Sequence, residues 1–337
     1  MKYISVVITA YNRREYLIKA VNSVINQSLD SSYYEIIVIK NFEDNEIDNY
    51  LMNANIKNIV MDGTEGDYIL KGIEEATGEI ISFLDDDDLF YYGKLEYIQK
   101  IFIEHTDLIY FHNAYRETND DGNFLEYNLN STKASNFDDF MINSNDNKSI
   151  VCALKHLADF NLSCISISKS IKNANYIRYL KHFNDTSVFY LALANKGTIY
   201  ISSKKLTLIR FHVSLTRLSI ENDESLLESF KNSMPTSTLE MMNKYFKNYH
   251  FYPLVKCSFY SNVLMEQLVN NSYSNFWDNI SNFIKCPFII NFKERFAFLV
   301  LYIISYITKN NKIFIKSYIN KVKSFRNNIK VSNDDQL

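Results

Sequence analysis

The sequence predicts an α/β protein: a mostly parallel sheet flanked by helices, followed by a helical C-terminal region. Three observations predict it. Short, almost uninterrupted apolar strands alternate with helix-spaced apolar residues through the first 115 positions. From about residue 222 onward the apolar spacing is helical. Hydrophobic residues make up 47% and aromatics 15% of 337 residues, with only 7 Gly and 3 Pro, so a packed core is available and a disordered or collagen-like chain is excluded.

In order, Ile4–Thr9 is β-branched and too short for an amphipathic helix, so it predicts the first strand. Asn12 and Glu15 have the spacing of a capping box, and Leu17, Ala20, Val21, Val24 and Ile25 then fall on one helical face. Glu35–Ile39, Ile56–Val60, Ile80–Leu84 and Leu108–Phe111 read as further strands. Between them, Ile69, Leu70, Ile73 and Ala76 mark a helix with Gly78 as its expected C-cap. Residues 116–150 are polar and predict an irregular excursion. Order resumes at Cys164–Ser168, a helix near Thr186–Ala194, and strands Thr198–Ser202 and Leu206–Phe211. The apolar run 297–307 has eleven residues, whereas a bilayer needs roughly 20, so a core helix is the expectation. Residues 312–326 pattern as a basic amphipathic helix.

The formal charge of −3 hides an asymmetry. Residues 285–330 carry ten Lys and Arg against one acid, a net of +9, while the remainder carries 26 basic and 38 acidic residues. The acidic body gives no basis for a nucleic-acid partner. The basic end has two readings, a solvated helix face or a peripheral contact with anionic lipid at the cytosolic membrane face. Cysteines at 152, 164, 257 and 286 form no C-x-x-C pair, so no zinc site or disulfide framework is expected. The N-terminal MKYISVVITAYNRR lacks a secretory pattern, which predicts a reducing, cytoplasmic location.

Asp85-Asp86-Asp87-Asp88 follows directly on an apolar strand. Carboxylates this close repel one another unless a cation intervenes. In a parallel α/β sheet ligands bind beyond the carboxyl ends of the strands, which brings Thr9–Asn12, Lys40–Phe42 and the aspartates to one edge. An extended backbone would aim Asp85 and Asp87 one way and Asp86 and Asp88 the other. Mg²⁺ or Mn²⁺ held by one or two carboxylates and a substrate diphosphate fits such a cluster. An acidic loop that merely complements a helix dipole is the competing reading.

The segment Gly72–Asp88 (GIEEATGEIISFLDDDD) resembles the core of family-2-type glycosyltransferases of the GT-A fold, which typically reads G-I-x-x-A-x-G-E-x-I-x-F-L-D-x-D-D. Ile4–Arg13, Ser23–Gln27 and Glu35–Ile39 are similar to that family's opening strand and turn, first helix end and second strand. The resemblance implies a GT-A-like fold. Residues 1–115 would form its nucleotide-sugar-binding half, 116–221 its acceptor half, and 222–337 a helical region that is basic at its end. It also implies that Thr9, Ala10, Tyr11, Asn12 and Asn41 hold the base and ribose, and that Asp85 and Asp86 lie on the sugar nucleotide. Asp87 would bind Mg²⁺ or Mn²⁺. Lys40-Asn41-Phe42-Glu43 stands where the family carries acidic residues, and Lys71 stands near the place of a usual Arg, where it can contribute positive charge.

Asn184-Asp185 is similar to the family's E-D pair, which makes Asp185 the candidate base; a helix N-cap is the alternative. Arg210-Phe211-His212 is similar to a late R-x-H segment, which makes His212 a second metal ligand. The implied reaction is metal-dependent, inverting sugar transfer from a nucleoside-diphosphate sugar to a hydroxyl of a glycan, lipid-linked or protein acceptor. Two other readings compete: a non-catalytic module binding a sugar nucleotide or protein, and a sugar-phosphate nucleotidylyltransferase. The latter lacks its Gly-rich loop here.

Overall fold

The structure, a computed structural model, describes residues 2–118, 137–179, 184–210, 236–285 and 292–310. Two compact units divide the chain, Met1–Phe124 with Thr132–Phe211, and Leu125–Ser131 with His212–Leu337.

The first unit holds a nine-stranded sheet: β1 Ile4–Ala10, β2 Tyr34–Lys40, β3 Lys57–Val60, β4 Ile80–Asp85, β5 Leu89–Phe90, β6 Leu108–Thr118, β7 Phe140–Asn143, β8 Ile165–Ser168 and β9 Thr198–Arg210. The order is β3-β2-β1-β4-β8-β6-β9-β5, with β7 also on β9. The expected α/β fold is present. Its parallel part runs over β3-β2-β1-β4, and β8 then pairs antiparallel with both β4 and β6. The two strands expected at 198–211 are one strand, irregular where β6 shifts register between Asn113 and Tyr115.

Helices α1 Leu17–Ile25, α2 Asn45–Asn53, α3 Glu65–Glu75, α4 Lys94–Glu104, α5 Asn147–Lys155 and α6 Asn184–Ala194 accompany the sheet. Ile4, Val6, Val7 and Ile8 of β1 are sealed from solvent. Burying each of these side chains is worth about 1.5–3 kcal/mol, which explains why the strand is mostly apolar, with Ser5 and Thr9 as its polar members. Val6 and Ile8 join a core with Leu17, Ala20, Val21 and Val24 of α1. On the opposite face α3 comes so close that a Cβ at Gly72 would stand 2.2 Å from Val7 Cγ1.

Three local expectations change. The capping box at Asn12 and Glu15 does not form: α1 starts at Leu17, its N-cap Tyr16 makes no side-chain cap bond, and Asn12 takes φ 57°. The capping box belongs to α3 instead, between Thr64 and Asp67. Gly78 is not a C-cap, since α3 is capped at Ala76; a Cβ at Gly78 would meet Ser5 N and Tyr3 O at 2.7 Å. Within the stretch expected to be irregular, β6 reaches Thr118 and β7 and the start of α5 are ordered.

The second unit contains α7 Thr236–Phe246, α8 Tyr252–Asn270, α9 Phe276–Ile284 and α10 Phe292–Thr308. The apolar run 297–307 lies in α10, where Tyr302 stacks on Phe276 of α9 with ring centroids 5.2 Å apart. Leu264, Leu268, Ile280 and Phe283 complete this core. Among the described residues no helix is long and apolar enough to cross a membrane. The basic helix expected over 312–326 lies outside the described residues.

Candidate active site

Parallel register brings the carboxyl ends of β1, β2 and β4 together: Thr9 pairs with Ile39 and with Asp85, and Ala10 with Lys40. Thr9 and Ala10 are buried, so Tyr11 and Asn12 form the exposed part of the first loop. Asn12 N–H donates to Asn41 Oδ1 at 2.8 Å, and Asn41 Nδ2 donates to Asn12 Oδ1 at 2.7 Å. This reciprocal pair joins the β1 and β2 loops and leaves each amide further hydrogen-bonding capacity. Lys40 is fully buried, ion-paired with Asp48 at 2.8 Å and donating to Phe42 O. Its charge is thus spent inside the fold. Tyr11 leans on buried Tyr68, with ring centroids 6.1 Å apart.

The aspartates do not alternate as an extended strand would. Asp88 N–H donates back to Asp85 O at 3.2 Å, closing a turn that ends β4, and Asp86 N–H donates to Thr9 O at 3.2 Å. The turn lets a single guanidinium reach neighbouring carboxylates: Arg13 pairs with Asp86 through Nη2 and Nε and with Asp87 through Nη1 at 2.6 Å. Asp86 is therefore an Arg13 partner, and Asp87, the expected metal ligand, also carries Arg13. Asp88 is buried and accepts from Ser163 Oγ at 2.7 Å, Asn161 Nδ2 at 3.0 Å and Arg210 N at 3.0 Å. Burial, then Asp87, pushes its carboxyl up to about 7 despite these donors. The Asp85 carboxylate has no hydrogen-bond or ion-pair partner among the described residues. Loss of hydration, followed by the charges of Asp88 and Asp87, holds its carboxyl well above the usual range.

Behind the turn stands Lys94, fully buried at the start of α4. Its Nζ donates to Ser163 O at 2.5 Å and Thr207 Oγ1 at 2.9 Å. Burial lowers it to about 7. Lys71 is engaged elsewhere, with Glu75 at 2.5 Å one turn along α3.

Asp185 lies in the first turn of α6. Its Oδ1 accepts from Thr186 N at 2.8 Å and its Oδ2 from Asn161 N at 3.0 Å. Burial raises its proton affinity against those two bonds. Nearby Asp159 is raised to about 7 by burial and by Asp185, and Thr186 Oγ1 donates to it at 3.3 Å. Asp185 and the acidic turn are thus connected through Asn161. His212 lies outside the described residues.

Among the described residues no three His, Cys, Asp or Glu converge on a ready cation cage. The donors at the turn are nevertheless all carboxylate oxygens, one carboxylate is without a partner, and Mg²⁺ is commonly bound through one or two carboxylates plus substrate phosphates. The residues fit a cation completed by its substrate.

Sequence reasoning gave no role to Arg13, Lys94, Asp159, Asn161 or Ser163. Lys94 had a signal, because it shares a helical face with Ile98 and Ile101, which are buried with it. Asn161 and Ser163 had none, since they meet Asp88 across 73 and 75 positions.

The model of glycosyl transferase family 2 matches residues 5–158. An uncharacterized glycosyltransferase of Rickettsia bellii is 32% identical over 128 residues, covering 36% of this chain and 18% of that protein. Glycosyltransferase AglE of Haloferax volcanii is 33% identical over 94 residues, covering 26% of this chain and 31% of AglE. The chain thus spans less than a third of either relative. S. aureus TarS 1–349, crystallised with UDP-GlcNAc, superposes with a TM-score of 0.53 at 15% identity over 83% of this chain and 89% of that one. Its UDP complex gives 0.51 at 16% identity, with 83% and 89% covered. That likeness is one of fold, the GT-A arrangement.

Proposed function

We propose, from the match of residues 5–158 to the model of glycosyl transferase family 2, that the protein transfers a sugar from a nucleoside-diphosphate sugar to an acceptor hydroxyl, inverting the anomeric carbon. The observation that carries this reading is the Asp85 carboxylate. It stands at the carboxyl edge of the sheet in register with Thr9, beside three more aspartates and without a counter-ion of its own among the described residues. A bound nucleotide with its cation meets that deficit, and a bare anionic ligand would worsen it.

When bound, Mg²⁺ or Mn²⁺ neutralises the departing diphosphate. Asp87 would hold the ion, Asp85 would hold ribose or an ion-bound water, and His212 joins them on the sequence resemblance alone. Arg13 has to release Asp87 for this. Tyr11, Asn12 and Asn41 offer an aromatic face and amide groups to base and ribose. Asp185 takes the proton of the acceptor hydroxyl as that oxygen bonds to the anomeric carbon. The bond from that carbon to the diphosphate oxygen breaks, and the electron pair leaves with the diphosphate. The raised proton affinity of Asp185 favours that role. Residues 116–221 would shape the acceptor side, for a glycan, lipid-linked or protein acceptor.

Thermal unfolding of the wild type and of Asp87→Ala with UDP, GDP, CDP, ADP or dTDP, each with and without Mn²⁺, tests the proposal. One nucleotide should raise the wild-type Tm only with Mn²⁺, since a ligand at a hundred times its Kd adds about 2.7 kcal/mol. The variant should lose that increment. The reading is overturned if no nucleotide shifts the wild type, or if Asp87→Ala responds as the wild type does. UDP is the first candidate, because TarS was crystallised with it.

A further inference from the structure

The acidic turn and the candidate base sit on separate elements, and Asn161 touches both. Its Nδ2 donates to Asp88 Oδ2 at 3.0 Å, and its backbone N–H donates to Asp185 Oδ2 at 3.0 Å. With Nδ2 donating to Asp88, the acceptor end of the amide points elsewhere. Its Oδ1 faces away from Asp88, closed off from solvent and without a hydrogen-bond partner among the described residues. An orphaned buried acceptor is destabilising, because it has given up water without gaining a partner. The backbone adds a second local cost. Asn161 has φ 61° and ψ 115°, outside the left-handed well that asparagine tolerates, a strained conformation for a residue with a side chain. Glycine would relieve both. A residue that carries two such costs while joining the acidic turn to the candidate base is placed for geometry rather than stability.

The surroundings leave little slack at either end. Asp88 is also held by Ser163 Oγ and Arg210 N, and the second oxygen of Asp185 by Thr186 N. A displacement of Asp88 can therefore reach Asp185 through the few bonds of one residue.

We propose that Asn161 is a positioning residue that couples the donor edge to the acceptor base: when a nucleotide orders the acidic turn, Asn161 carries that ordering to the Asp185 carboxylate. The inference rests on the reading of the turn and Asp185 given above.

Hydrogen–deuterium exchange on the full chain tests it, with Mn²⁺ and each of UDP, GDP, CDP, ADP and dTDP as probes. The peptides to follow cover 80–90 and 184–194. Two variants separate the possibilities. Asn161→Gly keeps the backbone conformation and the N–H to Asp185 but deletes the amide that reaches Asp88. Ser163→Ala removes a different donor from Asp88 without touching Asp185. In the wild type the bound nucleotide should slow exchange several-fold in both peptides. In Asn161→Gly the slowing at 80–90 should persist while 184–194 returns to its ligand-free rate, and Ser163→Ala should still slow both. The coupling is refuted if Asn161→Gly keeps the slowing at 184–194, if Ser163→Ala loses it too, or if the wild type slows only at 80–90. No slowing at 80–90 with any of the probes would instead sink the donor-site reading, and this inference with it.

Discussion

Arg13 joins Asp86 and Asp87 with one guanidinium, and Asp86 is almost wholly buried in the pair. Removing one partner of such a pair leaves an uncompensated charge and typically costs about 3–5 kcal/mol. Arg13→Met should lower the urea unfolding free energy at pH 7 by about 3 kcal/mol, and Mn²⁺ alone should restore part of it by replacing the lost cation. The wild type, whose arginine already occupies the pair, should gain less from Mn²⁺. Equal Mn²⁺ stabilisation of both proteins would count against competition between Arg13 and a metal. The composition of the turn was legible, since four carboxylates after an apolar strand stand out. Their directions were not. A strand predicts alternation, but the Asp88 N–H folds back onto Asp85 O and brings Asp86 and Asp87 under one arginine. The roles of Asn161 and Ser163 were illegible for a different reason: no local pattern encodes contacts made across more than seventy residues.

At the scale of elements, β1, β2 and β4 were readable because almost every one of their side chains is buried. Helix ends were less so. Asn12 and Glu15 have capping-box spacing, but Asn12 is drawn into the amide pair with Asn41, and the helix waits until Leu17. Short polar patterns compete with tertiary partners that spacing does not show. Gly72 makes the same point in a helix interior. Propensity alone says that alanine there gains about 1 kcal/mol, while the added methyl would meet Val7 Cγ1 at 2.2 Å. Overpacking costs about 1–3 kcal/mol. Gly72→Ala should therefore lower the Tm, and in a Val7→Ala background, itself destabilised by its cavity, it should lower the Tm much less, because the atoms in collision are gone. A double variant no more stable than the sum of the single changes would place the strain elsewhere.

At the scale of the whole molecule, charge is the property most open to sequence, because it adds without regard to folding. The region 285–330 carries a net of +9 in a chain whose total is −3. No described helix is long and apolar enough to cross a membrane, and the charge of this region suits a contact with an anionic surface. Each Lys or Arg near an anionic surface contributes about 1 kcal/mol, and the attraction fades over a Debye length of about 8 Å at physiological salt. Cosedimentation with vesicles containing phosphatidylglycerol should thus retain the protein at low ionic strength and release it as salt rises. Vesicles of phosphatidylcholine alone should retain little at any salt. Replacing Lys312, Lys316, Lys321 and Lys323 by Glu would lower the charge of the region by eight and should abolish retention while leaving the nucleotide-dependent Tm shift in place. That pairing of readouts matters, because lost retention with an intact nucleotide response assigns vesicle binding to the basic end and separates it from the nucleotide site. If the wild type stays in the supernatant at low salt, or the Glu variant is retained equally, the charge asymmetry is not a lipid-binding device and the basic end is a solvated surface.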